Sequence, residues 1–371
     1  MAEQRVGCGV KVSGHFKHNP HSSDKGGPRI LIVGPSWVGD MVMAQSLLMT
    51  LKSQMPDCVI DVLGPKWSAP IIHRMPEARR ALTLDVGHGE SGLRTRWQLA
   101  RKLKGEYDRA IVLPRSLKSA LVPFFARIPV RIGFTGEQRY GVINQRRTLD
   151  KQQLDQTVKR FVSLGLKQPG VPAHIPFPRL RIDSENQHAL KQRFGLPDHH
   201  VIGMMPGAEY GPAKQWPLEY FHTLAKQLVD QGKHVIILGG PKDHPAGVRI
   251  AEGLVNVHNL CGETRLEDAV DLLALCEQVV SNDSGLMHVA AAVGTHIQAI
   301  YGSSSPHYTP PLTNNADIHW LNLDCSPCFK RVCPLGHTNC LNQLPVARIE
   351  RAIKRYEVEG GSFSNDVGEC R

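Results

Sequence analysis

The chain has 371 residues, a formal charge of +10, 41% hydrophobic and 21% charged residues, the profile of a globular protein large enough for two domains with separate cores. No apolar stretch approaches the roughly 20 residues that cross a bilayer. Residues 1–28, rich in Gly, His, Lys and Ser without an apolar centre, are not a secretory signal, so a cytoplasmic protein with a disordered N-terminal extension is expected.

The first half alternates short apolar strands with amphipathic helices. Strands are predicted at Arg29–Val33, 58–63, 81–84 and 109–113, and helices at 40–53, 93–103 and 118–125. Such alternation implies a parallel sheet covered on both faces. Pro169, Pro172, Pro176 and Pro178 then interrupt any helix and read as a linker. The second half repeats the pattern, with strands at Val201–Met205, 234–238, 278–281 and 297–300 and helices at Leu218–Asp230 and 286–293. The expected fold is α/β, with two Rossmann-like doubly wound domains facing a central cleft. The segments are an extension 1–28, a first domain 29–168, a linker 169–183 and a second domain 184–344. A last helix over 345–357, packing back on the first domain, and a polar tail 358–371 complete the chain.

Charge is unevenly placed. Residues 85–160 hold sixteen Lys and Arg against seven acidic residues, a basic face that either attracts phosphates or is a solvated surface that aids solubility. No nucleic-acid motif or basic strip interleaved with aromatics accompanies it, and nucleic acid is not expected as a partner.

Two strand-to-helix turns carry the chemistry. Gly34-Pro-Ser-Trp-Val-Gly-Asp40 lacks the G-x-G-x-x-G dinucleotide fingerprint, and Asp61 is only a loose echo of a ribose-binding acid. Asp40 could cap its helix or act as a general base at a cleft mouth. Asn282-Asp-Ser-Gly-Leu-Met-His288 opens a helix whose free N–H groups, with Ser284 and Gly285 permitting close approach, suit a pyrophosphate. Asp283 would repel phosphate and is better placed to accept from sugar hydroxyls. His288 reads either as a ligand contact or as a buried structural histidine. Residues 206–217, long for such a loop, hold Lys214, a point charge for a leaving diphosphate or an ordinary surface lysine. Residues 302–306 should line the same cleft.

Gly-Pro-Ser-Trp-Val-Gly-Asp, Pro-Gly-Ala-Glu-Tyr-Gly-Pro-Ala-Lys-Gln-Trp-Pro, Gly262-Glu-Thr264 and Asn-Asp-Ser-Gly-Leu-Met-His, in this order from about residue 29 to 356, resemble the ADP-heptose:lipopolysaccharide heptosyltransferases of glycosyltransferase family 9. The resemblance implies an inverting transferase of the GT-B type that requires no cofactor. Its donor would be ADP-L-glycero-D-manno-heptose. Its acceptor would be the first heptose of a phosphorylated lipid A–core molecule at the cytoplasmic face of the inner membrane, with Kdo2–lipid A as the alternative. It also implies Asp40 as base, Lys214 on the donor phosphates and Asp283 on the donor heptose. Ser284, Gly285 and His288 match donor-site positions. Glu209 and Tyr210 stand where a related enzyme has hydroxyl residues near the phosphates, and Thr264 lies near the nucleoside. Arg115 and Lys118, after a strand expected beside Asp40, are the candidate acceptor contacts. A nicotinamide oxidoreductase and a non-catalytic nucleotide-sugar binder are the competing classes.

Cys325-x2-Cys328-x4-Cys333-x6-Cys340 gathers four of the nine cysteines. A structural zinc there stands beside reduced thiols and a redox-labile loop as alternatives.

Overall fold

A computed structural model describes residues 26–84 and 92–359. The expected N-terminal extension up to residue 25, the tail from residue 360 and residues 85–91 lie outside the described part. The chain divides between Pro176 and Phe177 into two compact units.

The first unit runs β1 (Arg29–Val33), α1 (Val38–Gln54), β2 (Val59–Pro65), α2 (Ala69–His73), β3 (Ala78–Leu84) and α3 (Leu93–Lys102). It continues through β4 (Arg109–Val112), α4 (Leu121–Phe125), β5 (Val130–Phe134), β6 (Gln145–Arg147) and α5 (Thr157–Gly165). The second runs α6 (Ser184–Phe194), β7 (Val201–Met205), α7 (Leu218–Asp230), β8 (His234–Ile237), α8 (His244–Ala251), β9 (Val257–Asn259) and α9 (Leu266–Leu275). Then come β10 (Gln278–Asn282), α10 (Gly285–Val293), β11 (His296–Tyr301), β12 (Ala316–Trp320), α11 (Asn339–Asn342) and α12 (Val346–Val358).

Each unit is built on a six-stranded sheet, β3-β2-β1-β4-β5-β6 in one and β9-β8-β7-β10-β11-β12 in the other. Every pairing is parallel. Numbered within its own unit, each sheet has the order 3-2-1-4-5-6, although the sequence shows no short internal repeat. The order reverses between β1 and β4 and between β7 and β10. Outside the carboxyl ends of strands at such a point, diverging loops leave a crevice for ligands.

The central strands are apolar because both faces are covered: Ile30, Leu31 and Ile32, like Val201 and Ile202, are fully buried. Each side chain of that size contributes about 1.5–3 kcal/mol by leaving water. At the strand-to-helix turn, a Cβ on Gly34 would lie 2.5 Å from the Met41 methyl. The missing side chain lets α1 pack close to β1.

Asp61, set aside in the sequence as a loose echo of a ribose-binding acid, has a structural place. It sits in mid-β2, fully buried, and its carboxylate accepts from Arg79 (2.5 and 2.8 Å), Arg80 (2.7 Å) and the Tyr107 hydroxyl (2.5 Å). Burial pushes the carboxyl up, but the Arg79 and Tyr107 hydrogen bonds and the two guanidinium charges outweigh it and hold it below the usual range. Its contribution to stability is therefore complete above the unfolded carboxyl's pKa and lost as pH falls through the folded value. Asp61→Asn should cost about 2–3 kcal/mol at neutral pH, read from the urea midpoint, and should flatten the acid limb of the stability profile.

The final helix, α12, is part of the second unit. Ile349 and Ile353 enter that unit's core beside Trp216, Phe221 and Leu224, and the Gln278 amide donates to the Ile353 carbonyl at 3.1 Å. Its amphipathic stripe is used there.

Candidate active site

In the first unit, Asp40 occupies the first turn of α1, two residues inside the start of the helix. The N-cap position itself belongs to Trp37, so Asp40 does not occupy the cap. The loop before it is held by the Trp67 indole donating to the Ser36 carbonyl (2.9 Å) and by Gly34 N–H on the Leu63 carbonyl (2.8 Å). Arg115 follows β4, the neighbour of β1, and Lys118 lies in the 3-10 turn after it, both exposed. This places the proposed base and the two candidate acceptor contacts at the carboxyl edge of one sheet, on either side of its reversal.

One residue not singled out in the sequence, Arg139, belongs to this edge. Arg139 is 3% exposed, and its guanidinium donates to the Pro114 carbonyl (2.8 Å) and to the Phe134 carbonyl, joining the loops after β4 and β5. Burial, with Arg115 nearby, pushes its pKa below the usual guanidinium range. A cavity of about 220 Å³ opens beside it, lined in part by Phe134, Thr135, Tyr140 and Arg146.

In the second unit the loop after β7 and the turn after β10 meet at the reversal. Asn282 fixes them: its amide donates to the Pro206 carbonyl (2.7 Å) and its oxygen accepts from the Trp216 N–H (3.0 Å). The two ends of the loop are thereby tied to β10, and the fully buried Trp216 anchors the assembly by donating to the Leu344 carbonyl (3.0 Å). Lys214, in a short 3-10 turn of that loop, reaches back to the Asp283 carboxylate at 2.5 Å. Their side chains are 16% and 4% exposed, so the pair is nearly dry and each charge depends on the other.

Ser284 is the N-cap of α10, yet its side chain makes no capping hydrogen bond. The first-turn N–H groups, beginning at Gly285, form the positive end of the helix dipole. His288, one turn in, is buried, and burial chiefly lowers it to about 4, so the ring is neutral near pH 7. Its Nδ1 and the hydroxyls of Ser303 and Ser304, after β11, are buried without a hydrogen-bond partner. Such orphaned groups are costly unless a ligand or water completes them.

Tyr210 lies between two cations, with Lys214 Nζ 5.2 Å and the Arg331 guanidinium 5.4 Å from its ring centre. Arg331 was not legible as a site residue, being so far from Tyr210 along the chain. Glu209 is exposed and paired with Lys242 at 3.0 Å. Thr264 stands apart on the turn after β9, two strands from the reversal, with its hydroxyl donating to the Leu260 carbonyl at 3.4 Å.

Two Rossmann-like units, each with polar and charged loops at the reversal of its sheet, define a GT-B glycosyltransferase. The solved structure of Escherichia coli ADP-heptose lps heptosyltransferase II matches with a TM-score of 0.78 and 39% identity, covering 90% of this chain and 100% of that one. A family 9 glycosyl transferase from Veillonella parvula shares the fold at a TM-score of 0.80 and 20% identity, over 90% of this chain and 98% of that one.

The particular family follows from the sequence. Residues 96–339 match the profile of glycosyltransferase family 9 (heptosyltransferase), and the chain belongs to that family. It is 45% identical over 303 residues to lipopolysaccharide heptosyltransferase 2 of Salmonella typhimurium, covering 78% of this chain and 87% of the relative. Lipooligosaccharide heptosyltransferase 2 of Haemophilus influenzae is 46% identical with the same coverage.

Proposed function

We propose that this enzyme moves L-glycero-D-manno-heptose from ADP-heptose to the first heptose of the lipopolysaccharide inner core, inverting the anomeric carbon. The observation that carries the reading is the dry Lys214–Asp283 pair at the N-terminus of α10, in a chain so similar to heptosyltransferases 2. An isolated carboxylate there would repel a diphosphate; one matched by a lysine does not.

The acceptor hydroxyl loses its proton to the Asp40 carboxylate while its oxygen bonds to the anomeric carbon from the face opposite ADP. The bond from that carbon to the diphosphate oxygen breaks, and the electron pair leaves with ADP. Lys214 and the α10 N–H groups take up the developing charge, and Tyr210 and Arg331 flank the same phosphates. Asp283, with Lys214 drawn towards the diphosphate, accepts from heptose hydroxyls. Ser284, Gly285 and His288 border the donor, Glu209 stands towards its phosphates on the loop after β7, and Thr264 lies towards the nucleoside on the turn after β9. Cationic protein groups neutralise the leaving group, so the chemistry itself needs no metal.

Arg115 and Lys118 engage anionic groups of the acceptor. Among the described residues no helix is long and apolar enough to cross a membrane; the enzyme reaches its lipid-linked acceptor peripherally, from the cytoplasmic face, through its basic first unit.

ADP release should require ADP-heptose together with heptosyl-Kdo2–lipid A. Turnover on Kdo2–lipid A alone would instead assign the first-heptose reaction. In the same assay, Arg115→Ala with Lys118→Ala should raise the acceptor KM on the order of 10–100-fold, the worth of one or two charge-assisted hydrogen bonds. The donor KM should not move; a parallel rise in it would remove these residues from the acceptor side.

A further inference from the structure

α3 and α4 cover the same face of the first unit's sheet. Leu99 and Leu103 of α3 and Val122 of α4 enter one core with Leu31 and Val112 of the strands, and the two helices pack on each other. The sides turned away from that core are not the wholly polar surface such helices usually show. On α3, Leu93, Trp97 and Arg101 recur every four residues and form one stripe along the helix. Leu93 is 54% exposed and Trp97 48%. Phe124 of α4 is 39% exposed, and Leu117, in the 3-10 turn before α4, is exposed as well. Single exposed apolar side chains are ordinary on a folded protein, whereas a row of them on adjoining helices marks a contact surface.

Cations sit among these side chains. The Arg101 guanidinium lies over the Trp97 ring, 4.9 Å from its centre. Arg131, fixed by donating to the Val142 carbonyl (2.7 Å), lies over Phe124 at 5.6 Å. α3 also carries Arg94 and Lys102 at exposed positions and no carboxylate. Aromatic and aliphatic side chains rimmed by arginine and lysine fit the boundary between acyl chains and anionic head groups. Rings and aliphatic stems enter the apolar side while the charges stay with the phosphates. A second copy of this chain fits poorly, because a twofold contact would set the cationic stripe against its own like charges. The surface also adjoins the candidate acceptor contacts, since Leu117 stands next to Lys118 in the turn that leaves β4 at the carboxyl edge.

We propose that the outer face of α3 and α4 seats the protein on a bilayer surface rich in anionic phospholipid. Leu93, Trp97, Leu117 and Phe124 enter the head-group layer, and Arg94, Arg101 and Lys102 meet its phosphates. A bilayer as the occupant rests on the lipid-linked acceptor proposed above, and the surface that touches lipid is what is added to that reading.

The test is co-sedimentation of the full-length protein with vesicles of phosphatidylethanolamine and phosphatidylglycerol, against vesicles of phosphatidylcholine alone, with neither donor nor acceptor present. Binding to the anionic vesicles is expected, weakening as salt rises and at least about tenfold tighter than to phosphatidylcholine. Leu93→Gln with Trp97→Gln should weaken it on the order of tenfold or more, and Arg101→Gln with Lys102→Gln on the order of 20-fold at low salt. All four positions are exposed, so the melting temperature should stay within a few degrees of wild type, showing the fold intact. Lys226→Gln with Arg249→Gln, the same change of charge on α7 and α8 of the second unit, should leave vesicle binding unchanged. No binding to the anionic vesicles, equal binding to phosphatidylcholine, or binding that either α3 double variant retains in full overturns the proposal. So does a concentration-dependent dimer in vesicle-free solution that Leu93→Gln with Trp97→Gln dissolves, since the face would then join two copies. Vesicle binding is read without turnover, so its failure leaves the heptosyltransfer reading to its own assay.

Discussion

Asp40→Asn should lower kcat by on the order of 10²–10⁴-fold, the usual worth of a general base, while the affinity for ADP-heptose stays within about twofold of wild type, inside the ~0.5 kcal/mol scatter of changes at distant sites. The physical case is local. Asp40 stands in the first turn of α1, after a loop braced by Trp67 and by the close fit of Gly34 over Met41. Asn keeps the shape and the capacity to hydrogen-bond at that position, so the helix and the loop should survive. What it loses is the ability to take a proton. Donor affinity, measured by calorimetry, is assigned in the proposed function to residues of the second unit and should be insensitive to the change. A variant that retains a tenth or more of wild-type kcat would exclude Asp40 as the base.

Lys214→Ala has two expected effects that a second substitution separates. Turnover should fall by about 10²–10³-fold, as when one preorganised charge stabiliser is removed. Stability should fall as well, because Asp283, 4% exposed, loses the cation 2.5 Å away; breaking one side of a buried pair costs about 3–5 kcal/mol, less whatever Asp283 recovers by binding a proton. Lys214→Ala combined with Asp283→Asn removes both charges and should restore most of the melting temperature without restoring turnover. If turnover returned with stability, Lys214 would be a structural partner of Asp283 and nothing more.

Much of this architecture can be read from the sequence, and the illegible parts share a cause. β1 and β7 announce themselves because they are buried on both faces and are apolar runs. β6, only Gln-Arg-Arg, and β12, Ala-Asp-Ile-His-Trp, are edge strands whose identity comes from the neighbour they pair with. In α6 only Leu190 is buried, too little to mark a helical face. Strand order is tertiary information and leaves no local trace. At the site, Asp40, Lys214 and Asp283 stand out because polar residues interrupt strand-to-helix turns. Asn282 looks like one more motif residue until its amide is seen tying both ends of a loop. Arg331 and Arg139 act across long chain separations, and nothing local to Asp61 shows that its carboxylate is committed to an ion cluster within the sheet.

The shared strand order has a consequence for how specificity can change. Each half presents its ligand-facing segments from one edge of a self-contained sheet, backed by a core that those segments do not build. On the proposed assignment of acceptor to the first unit and donor to the second, segments after β1, β4 and β5 can therefore diverge to fit a new sugar surface while those after β7, β9 and β10 continue to hold the same nucleotide sugar. The two recognition tasks are separately heritable, and a chimera exchanging only the first set should inherit the acceptor preference of its parent.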